Sequence, residues 1–313
     1  MISLDFKNKI VLVTGGGRGI GLAISRSFAE GELFLLIWAT FSLMPETIAG
    51  ATLVITYTST DATPTATALS KEFNVPVHVY HCPGEQSETV NSTIDLVAKD
   101  VGEVDIVVAN AGVSLWREAL DMTDTELDTL MQTNLFAPYY LSRALMRHWL
   151  DLPTATPGSE TDTTRGSRDK KVDLQKKILF VSSISGIVAM KPQAQSAYNA
   201  SKAGLTMLAK SLAGEWAKYG VSVNSISPGY VYTDMIANPP PGEEEWVKTW
   251  QAMTPVDRFA QPKEIGDMVV LLCSDRASHF MTGSDVVLDG GESFLSIHLS
   301  AIKLMNRSGY TTF

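Results

Sequence analysis

Apolar residues along the chain gather into short, nearly unbroken runs at 9–14, 51–57, 77–81, 105–109, 177–182, 221–227 and 285–288. Such runs suit strands covered on both faces, where neither side meets water. Between them, apolar positions recur at helical spacing over 19–28, 65–73, 85–101, 123–149, 198–219 and 262–273. This alternation predicts right-handed βαβ crossovers. The expected architecture is α/β: a doubly wound, parallel, seven-stranded sheet with helices on both faces. No second core is evident, so 1–313 reads as one domain.

Three stretches break the rhythm. Residues 154–173 are polar and charged, with Pro, Gly, Ser and Thr throughout, and read as a long surface loop. Residues 32–49 lie between the first helix and the second strand, where a few residues normally suffice; they are rich in Leu, Phe and Ile but lack a clean helical face. Residues 292–309 follow the last strand and its Asp289-Gly290-Gly291 end.

Composition narrows the function. A net charge of −9 argues against nucleic acid or an anionic membrane as the main partner. Only two cysteines occur, Cys82 and Cys273, so no disulfide framework is expected, and a cytoplasmic setting is the simplest reading. The apolar stretch 33–44 is too short to span a bilayer, which takes about 20 residues. The five histidines and two cysteines show no metal-ligand spacing. No Gly-x-Ser-x-Gly elbow of a serine hydrolase surrounds Ser183 or Ser185.

The first strand runs into Thr14-Gly15-Gly16-Gly17-Arg18-Gly19-Ile20-Gly21, and a helix begins at once. Glycines there let the backbone approach a pyrophosphate, which the helix N-terminus then holds with free N–H groups and its positive dipole end. In this context the loop is the fingerprint of a Rossmann-type dinucleotide site. NAD-specific sites place a carboxylate at the end of the second strand for the ribose 2′-hydroxyl. Here the strand ends in Tyr57-Thr58-Ser59 without one. Arg18 is suited to face a 2′-phosphate, with Thr58 and Ser59 as hydroxyl donors. NADP(H) is therefore the expected cofactor. The fourth strand ends in Asn110-Ala111-Gly112, small enough to pass close to an adenosine.

Tyr198 and Lys202 stand four residues apart at the start of a helical stretch, which stacks them on one face. A phenol is a weak acid near neutrality, and a neighbouring ammonium favours its ionised form. Such a pair can protonate a carbonyl oxygen as hydride arrives. Upstream, Ser183 and Ser185 close the fifth strand, at the sheet end where α/β folds bind ligands. Asn134 interrupts an apolar stretch and reads either as a structural hydrogen bond or as a water-holding relay to Lys202.

Together these motifs resemble the classical short-chain dehydrogenases/reductases: Thr14-Gly-x-x-x-Gly-x-Gly, Asn110-Ala-Gly, Asn134, the serine strand, Tyr198-x-x-x-Lys202 and Pro228-Gly229, in order over most of the chain. The resemblance implies that Tyr198 is the general acid/base, and that Lys202 lowers its pKa and holds the nicotinamide ribose. It further implies that a serine orients the carbonyl, that Asn134 completes a proton relay, and that Thr233 binds the carboxamide. Ser185 lies nearer the usual distance from the tyrosine. The segment 183–198 is however similar to fungal-type polyol dehydrogenases and ketose reductases, including mannitol 2-dehydrogenases and sorbose or xylulose reductases. There the first serine takes the catalytic place, which favours Ser183. The implied reaction interconverts a ketone and a secondary alcohol, a ketose/polyol pair first. A non-sugar ketone reductase and a binding protein without turnover are the alternatives. The family also implies a homodimer or homotetramer built through the two long helices.

The chain departs from the pattern where Pro83 stands in place of an adenine-contacting aspartate. Deleting 32–49 and 292–309 would restore family-like joints, and both segments read as translated introns in a gene model; tolerated surface loops are the alternative. Trp149, Met190, Tyr230, Tyr232 and Trp246 are candidates for shaping the substrate pocket.

Overall fold

The computed structural model describes residues 4, 6–31, 50–153, 172–237 and 244–294. Seven strands form one sheet: β1 (Ile10–Thr14), β2 (Thr52–Tyr57), β3 (Val77–His81), β4 (Ile106–Ala109), β5 (Lys176–Val181), β6 (Val221–Pro228) and β7 (Asp285–Leu288). Their order is β3-β2-β1-β4-β5-β6-β7, and every pairing is parallel. The chain winds outward from β1 in one direction and from β4 in the other. The C-terminal ends of β1 and β4 therefore meet at the reversal point where such sheets bind ligands.

The helices are α1 (Gly19–Glu30), α2 (Thr63–Phe73), α3 (Ser87–Asp100), α4 (Asp124–Met131), α5 (Ala137–Trp149), α6 (Ser196–Trp216), α7 (Asp234–Ala237), α8 (Glu244–Met253), α9 (Pro262–Cys273) and α10 (Asp275–Ser278). Alternate strand residues feed two cores. Leu12, Val54, Val107, Ile178 and Val223 pack beneath α3, α5 and α6. Val11, Val13, Leu53, Val108 and Leu179 pack beneath α1 and α9. Both faces are dry, which explains the near-continuous apolar strands.

The single helix expected over 123–149 is two α-helices joined by a π-helical turn, Gln132–Phe136. Five residues are too few for their spacing to reveal a change of helical period. Helix α8 was not expected, and Trp149 is a core residue whose Nε1 donates to the Val104 carbonyl at 2.9 Å. It does not shape a pocket. Residues 32–49 and 154–171 lie outside the described residues, as do 295–309 of the second suspect segment.

The far rim of the sheet is clamped electrostatically. Asp105 accepts from the Ile10 N–H and from Lys176 Nζ, both at 2.9 Å, and Lys176 also pairs with Glu103 at 2.7 Å. One carboxylate thus ties together the starts of β1, β4 and β5. Both cysteines are free thiols. Among the described residues, no helix is long and apolar enough to cross a membrane, and no cluster of metal-ligating side chains occurs.

Candidate active site

At the opposite rim, β1 turns into α1 through a loop that only glycine can follow at two points. Gly15 has φ +63°, and a Cβ on Gly21 would strike the Gly15 carbonyl oxygen. Thr14 stitches this loop to β4: its Oγ1 accepts from the N–H groups of Asn110 and Ala111, both at 2.9 Å. The Asn110 side chain returns the bond, donating to the Thr14 carbonyl at 2.9 Å. Helix α1 begins at Ncap Arg18 with no side-chain cap and no acidic residue in its first turn. Its first N–H groups therefore have no anionic competitor within the helix. A Cβ placed on Gly19 would find nothing nearer than Thr233 Cγ2, at 3.9 Å. The start of α1 at Gly19 thus borders an open gap facing Thr233, which fits a pyrophosphate entering over the helix end.

Beside this loop opens a cleft lined by Thr14, Gly15, Thr58, Cys82, Ala111 and Thr133 among others. Thr58 and Ser59 are exposed at the exit of β2. The His81 ring lies beside Tyr57, and its Nε2 donates to the Thr58 carbonyl at 2.9 Å, holding that bend. The first carboxylate after the strand, Asp61, accepts from the N–H and the hydroxyl of Thr63 at 2.9 and 2.6 Å. It serves the start of α2, and those bonds hold its carboxyl below the usual range. Arg18 is exposed and has no ion-pair partner among the described residues. The exit of β2 thus offers a cation, Arg18, and hydroxyls, and no uncommitted carboxylate. Pro83 does leave the cleft without the aspartate the family pattern implies, and Glu85 lines it instead.

Ser183 and Tyr198 meet at the ends of β5 and α6. Ser183 caps a one-turn 3₁₀ helix, its Oγ accepting from the Ser185 N–H at 3.1 Å, and its hydroxyl lies close enough to the Tyr198 phenol to influence its ionisation. The Ser185 hydroxyl is turned away and accepts from Gln195 Nε2 at 3.0 Å. Lys202 Nζ donates to the Val181 carbonyl at 2.9 Å and sits 5.8 Å from the centre of the Tyr198 ring. Burial pushes the Lys202 ammonium down to about 8. The Tyr198 phenol is raised above its ordinary value by burial, with the nearby Ser183 hydroxyl pulling it back. In the folded chain the loss of water around the phenol is the larger effect, and Nζ is held against a strand carbonyl.

Asn134 lies in the π-turn, fully buried. Its Oδ1 accepts from the Val113 N–H at 2.9 Å, while Nδ2 donates to the Val113 carbonyl at 2.9 Å and to Ser201 Oγ at 3.1 Å. Both amide protons are committed, so the side chain acts as a brace between the loop after β4 and α6. Gly112 lies between this amide and Lys202: a Cβ there would sit 3.1 Å from Asn134 Oδ1 and 3.5 Å from Lys202 Nζ. Pro228 ends β6, and the Gly229 N–H donates to the Leu288 carbonyl at 3.0 Å.

Two family models match successive parts of the chain, one described as short chain dehydrogenase over residues 9–159 and one as Enoyl-(Acyl carrier protein) reductase over 167–293. The chain is 33% identical to a sorbose reductase of Candida albicans, covering 92% of this chain and 88% of that protein. It is 34% identical to an NADP-dependent mannitol dehydrogenase of Alternaria alternata, over 92% and 93%. The protein is a short-chain dehydrogenase/reductase. Among solved structures, an L-sorbose reductase of Gluconobacter frateurii, complexed with NADPH and L-sorbose, superposes on it with a TM-score of 0.73 at 26% identity, covering 93% of this chain and 98% of that one.

In this short-chain dehydrogenase, the residues singled out from sequence converge on one rim. Several contributors were not singled out. Thr14 belongs to the glycine motif, but nothing local in the sequence predicts its double acceptor role. His81, Gln193, Trp116 and Trp250 gave no signal, because each acts through a partner distant in sequence.

Proposed function

We propose that this short-chain dehydrogenase is an NADP(H)-dependent oxidoreductase moving hydride between the nicotinamide and a ketose/polyol pair. The observation that carries the reading is the grouping of Ser183, Tyr198 and buried Lys202 at the ends of β5 and α6, with Gly112 of the strand end after β4 against Lys202 Nζ. The names of the sorbose reductase and mannitol dehydrogenase relatives support the substrate class and the choice of cofactor.

Bound NADPH supplies the hydride for reduction. Gly15, Gly19, Ile20 and Gly21 would hold its pyrophosphate, and Arg18, Thr58 and Ser59 its 2′-phosphate. Asn110, Ala111 and Gly112 would flank the adenosine, and Pro228, Gly229 and Thr233 the carboxamide. Tyr198 gives its phenolic proton to the carbonyl oxygen as that oxygen gains negative charge. Ser183 donates a hydrogen bond to the same oxygen, stabilising the charge where it develops. Lys202 would hold the nicotinamide ribose and supply positive charge when the phenolate forms. Asn134 positions Gly112 and Lys202 through its brace to Val113 and Ser201. In oxidation the same groups work in reverse.

We further propose that 1–313 acts as one domain and that the protein is cytoplasmic. A homodimer or homotetramer would use α4–α5 and α6, where Leu127, Phe136, Tyr139 and Met207 are exposed. Segments 32–49 and 292–309 are proposed to be translated introns. The burial of Glu292 beside Asp289, with one carboxylate oxygen unpartnered, supports this for the second segment. Transcript reads that retain both segments would end that idea. The enzymatic reading is tested by NADPH oxidation with fructose, sorbose and xylulose, for the full chain and for a version lacking both segments. Tight NADPH binding with no turnover on any ketose in either version would overturn it.

A further inference from the structure

A small aromatic core stands apart from the two large ones, at the rim that carries Ser183 and Tyr198. Tyr230, directly after Pro228-Gly229, stacks on Trp250 of α8 with centroids 4.8 Å apart and planes at 19°. Trp116, from the segment after Asn110-Ala111-Gly112, meets Trp250 at 5.3 Å and Trp246 at 5.6 Å. The Arg117 N–H donates to the Ala194 carbonyl at 2.8 Å, which ties this segment to the one leading from Ser183 to Tyr198. Loops from the ends of β4, β5 and β6 thus contribute one face each, at the end of the sheet where ligands bind.

Gln193 orders the polar side of this core. The indole Nε1 of Trp250 can only donate, and it donates to Gln193 Oε1 at 2.9 Å. That fixes which end of the amide faces Tyr230. Gln193 Nε2 must then donate to the Tyr230 hydroxyl, at 2.8 Å. The phenol oxygen is consequently an acceptor in this bond, and its own proton is left over. No acceptor for that proton occurs among the described residues. Gln193 is buried, so its amide cannot swing out to water. Burial also raises the phenol well above its ordinary value, which keeps the proton in place across the working pH range.

We propose that Tyr230 reads the hydroxylation of the substrate: its O–H donates to a hydroxyl oxygen on the carbon chain away from the reacting carbonyl. Trp116 and Trp246, both partly buried, offer ring surface to the C–H side of that chain. Gln193 is the positioning residue that keeps the proton pointed outward. This rests on the ketose/polyol reading and assigns its specificity. A site built to bond a hydroxyl rejects analogues lacking it, because the buried polar group is then left unpaired.

The test compares a ketose with an unhydroxylated methyl ketone of the same chain length. Tyr230→Phe keeps the ring stack and removes only the donor. Gln193→Glu, assayed at about pH 8 and so above the ordinary carboxyl range, keeps an acceptor for Trp250 but draws the phenol proton inward. For both variants, KM for the ketose should rise about tenfold, the worth of one net hydrogen bond, with kcat little changed. Turnover of the methyl ketone and NADPH affinity by fluorescence titration should stay within about twofold of the parent. Equal losses on both substrates, or no change on either, overturn the proposal. If the parent reduces the methyl ketone and no ketose, the ketose/polyol reading itself falls, and the Tyr230 assignment falls with it.

Discussion

The Ser183 hydroxyl lies beside the Tyr198 phenol, while Ser185, two residues on, is held by Gln195. The 3₁₀ turn after β5 sends the two hydroxyls in different directions, so their contributions to turnover should separate widely. Ser183→Ala should lower kcat by about 10²–10³-fold, the range for removing one donor from a developing oxyanion. Ser185→Ala should cost less than about tenfold, since it removes a single net hydrogen bond to Gln195. Steady-state kinetics of NADPH oxidation settle the ranking, and the reverse order would move the carbonyl site to Ser185.

Lys202 is a charge held where solvent is scarce, 4% exposed and depressed to about 8. Its folded value lies below that of the unfolded chain, so the unfolded state binds the proton more tightly. Below about pH 8 the charge destabilises the cofactor-free fold by a steady amount, of order 3 kcal/mol. That cost fades as pH rises from about 8 towards the unfolded value near 10.4. Lys202→Met should therefore abolish turnover and yet raise the Tm of the cofactor-free protein at neutral pH, by about 5 °C once the lost bond to Val181 is allowed for. A lower Tm would show that the lysine stabilises the fold.

Cofactor choice should rest on Arg18. With Asp61 committed to the start of α2, the remaining groups at the exit of β2 are hydroxyls and a braced backbone. Arg18→Ala should weaken NADPH binding by about 10–100-fold, the range of a charge-assisted hydrogen bond, and leave NADH binding within about twofold. Titrations with 2′,5′-ADP and 5′-AMP report the same contrast without turnover. Equal weakening of both ligands would place the 2′-phosphate elsewhere.

Glu292 behaves in the opposite sense to a salt-bridged acid. It is buried, and burial with the nearby Asp289 charge raises its carboxyl to about 7. The folded state then binds the proton more tightly than the unfolded one, and stability falls as pH rises from about 4.5 to about 7 before levelling off. Glu292→Gln should raise Tm by a few degrees at about pH 8 and leave it nearly unchanged at about pH 4.5. A scan showing equal gains at both pH values would remove ionisation as the cause.

Strand positions and the parallel, doubly wound sheet were largely legible, because strands dry on both faces leave unbroken apolar runs and βαβ crossovers are parallel. The glycine loop and the Tyr198/Lys202 pair were legible for a similar reason: each is local, with its spacing set by one turn or one helix face. What depended on contacts between distant segments was not legible. The residues alone left Ser183 and Ser185 both open, and only the resemblance favoured Ser183, since their directions depend on a turn whose partners, Gln195 and Tyr198, come later in the chain. The burial that raises the Tyr198 phenol was not legible, because spacing reveals a neighbouring lysine but not the loss of water around the ring. Helix α8 was missed although its Trp250 is among the most buried side chains; its apolar face serves only the small aromatic core.

The Asp105 clamp gives the molecule a division of labour between its two rims. Fixing the starts of β1, β4 and β5 through one carboxylate anchors the strands by their roots, leaving the opposite ends to be remodelled without unfastening the sheet. Loops carrying Trp116, Gln193 and Tyr230 can be exchanged for those of a relative with another appetite, while Asp105 and Lys176 stay untouched. A chimera built on that boundary inherits its foundation from this chain and its taste from the donor.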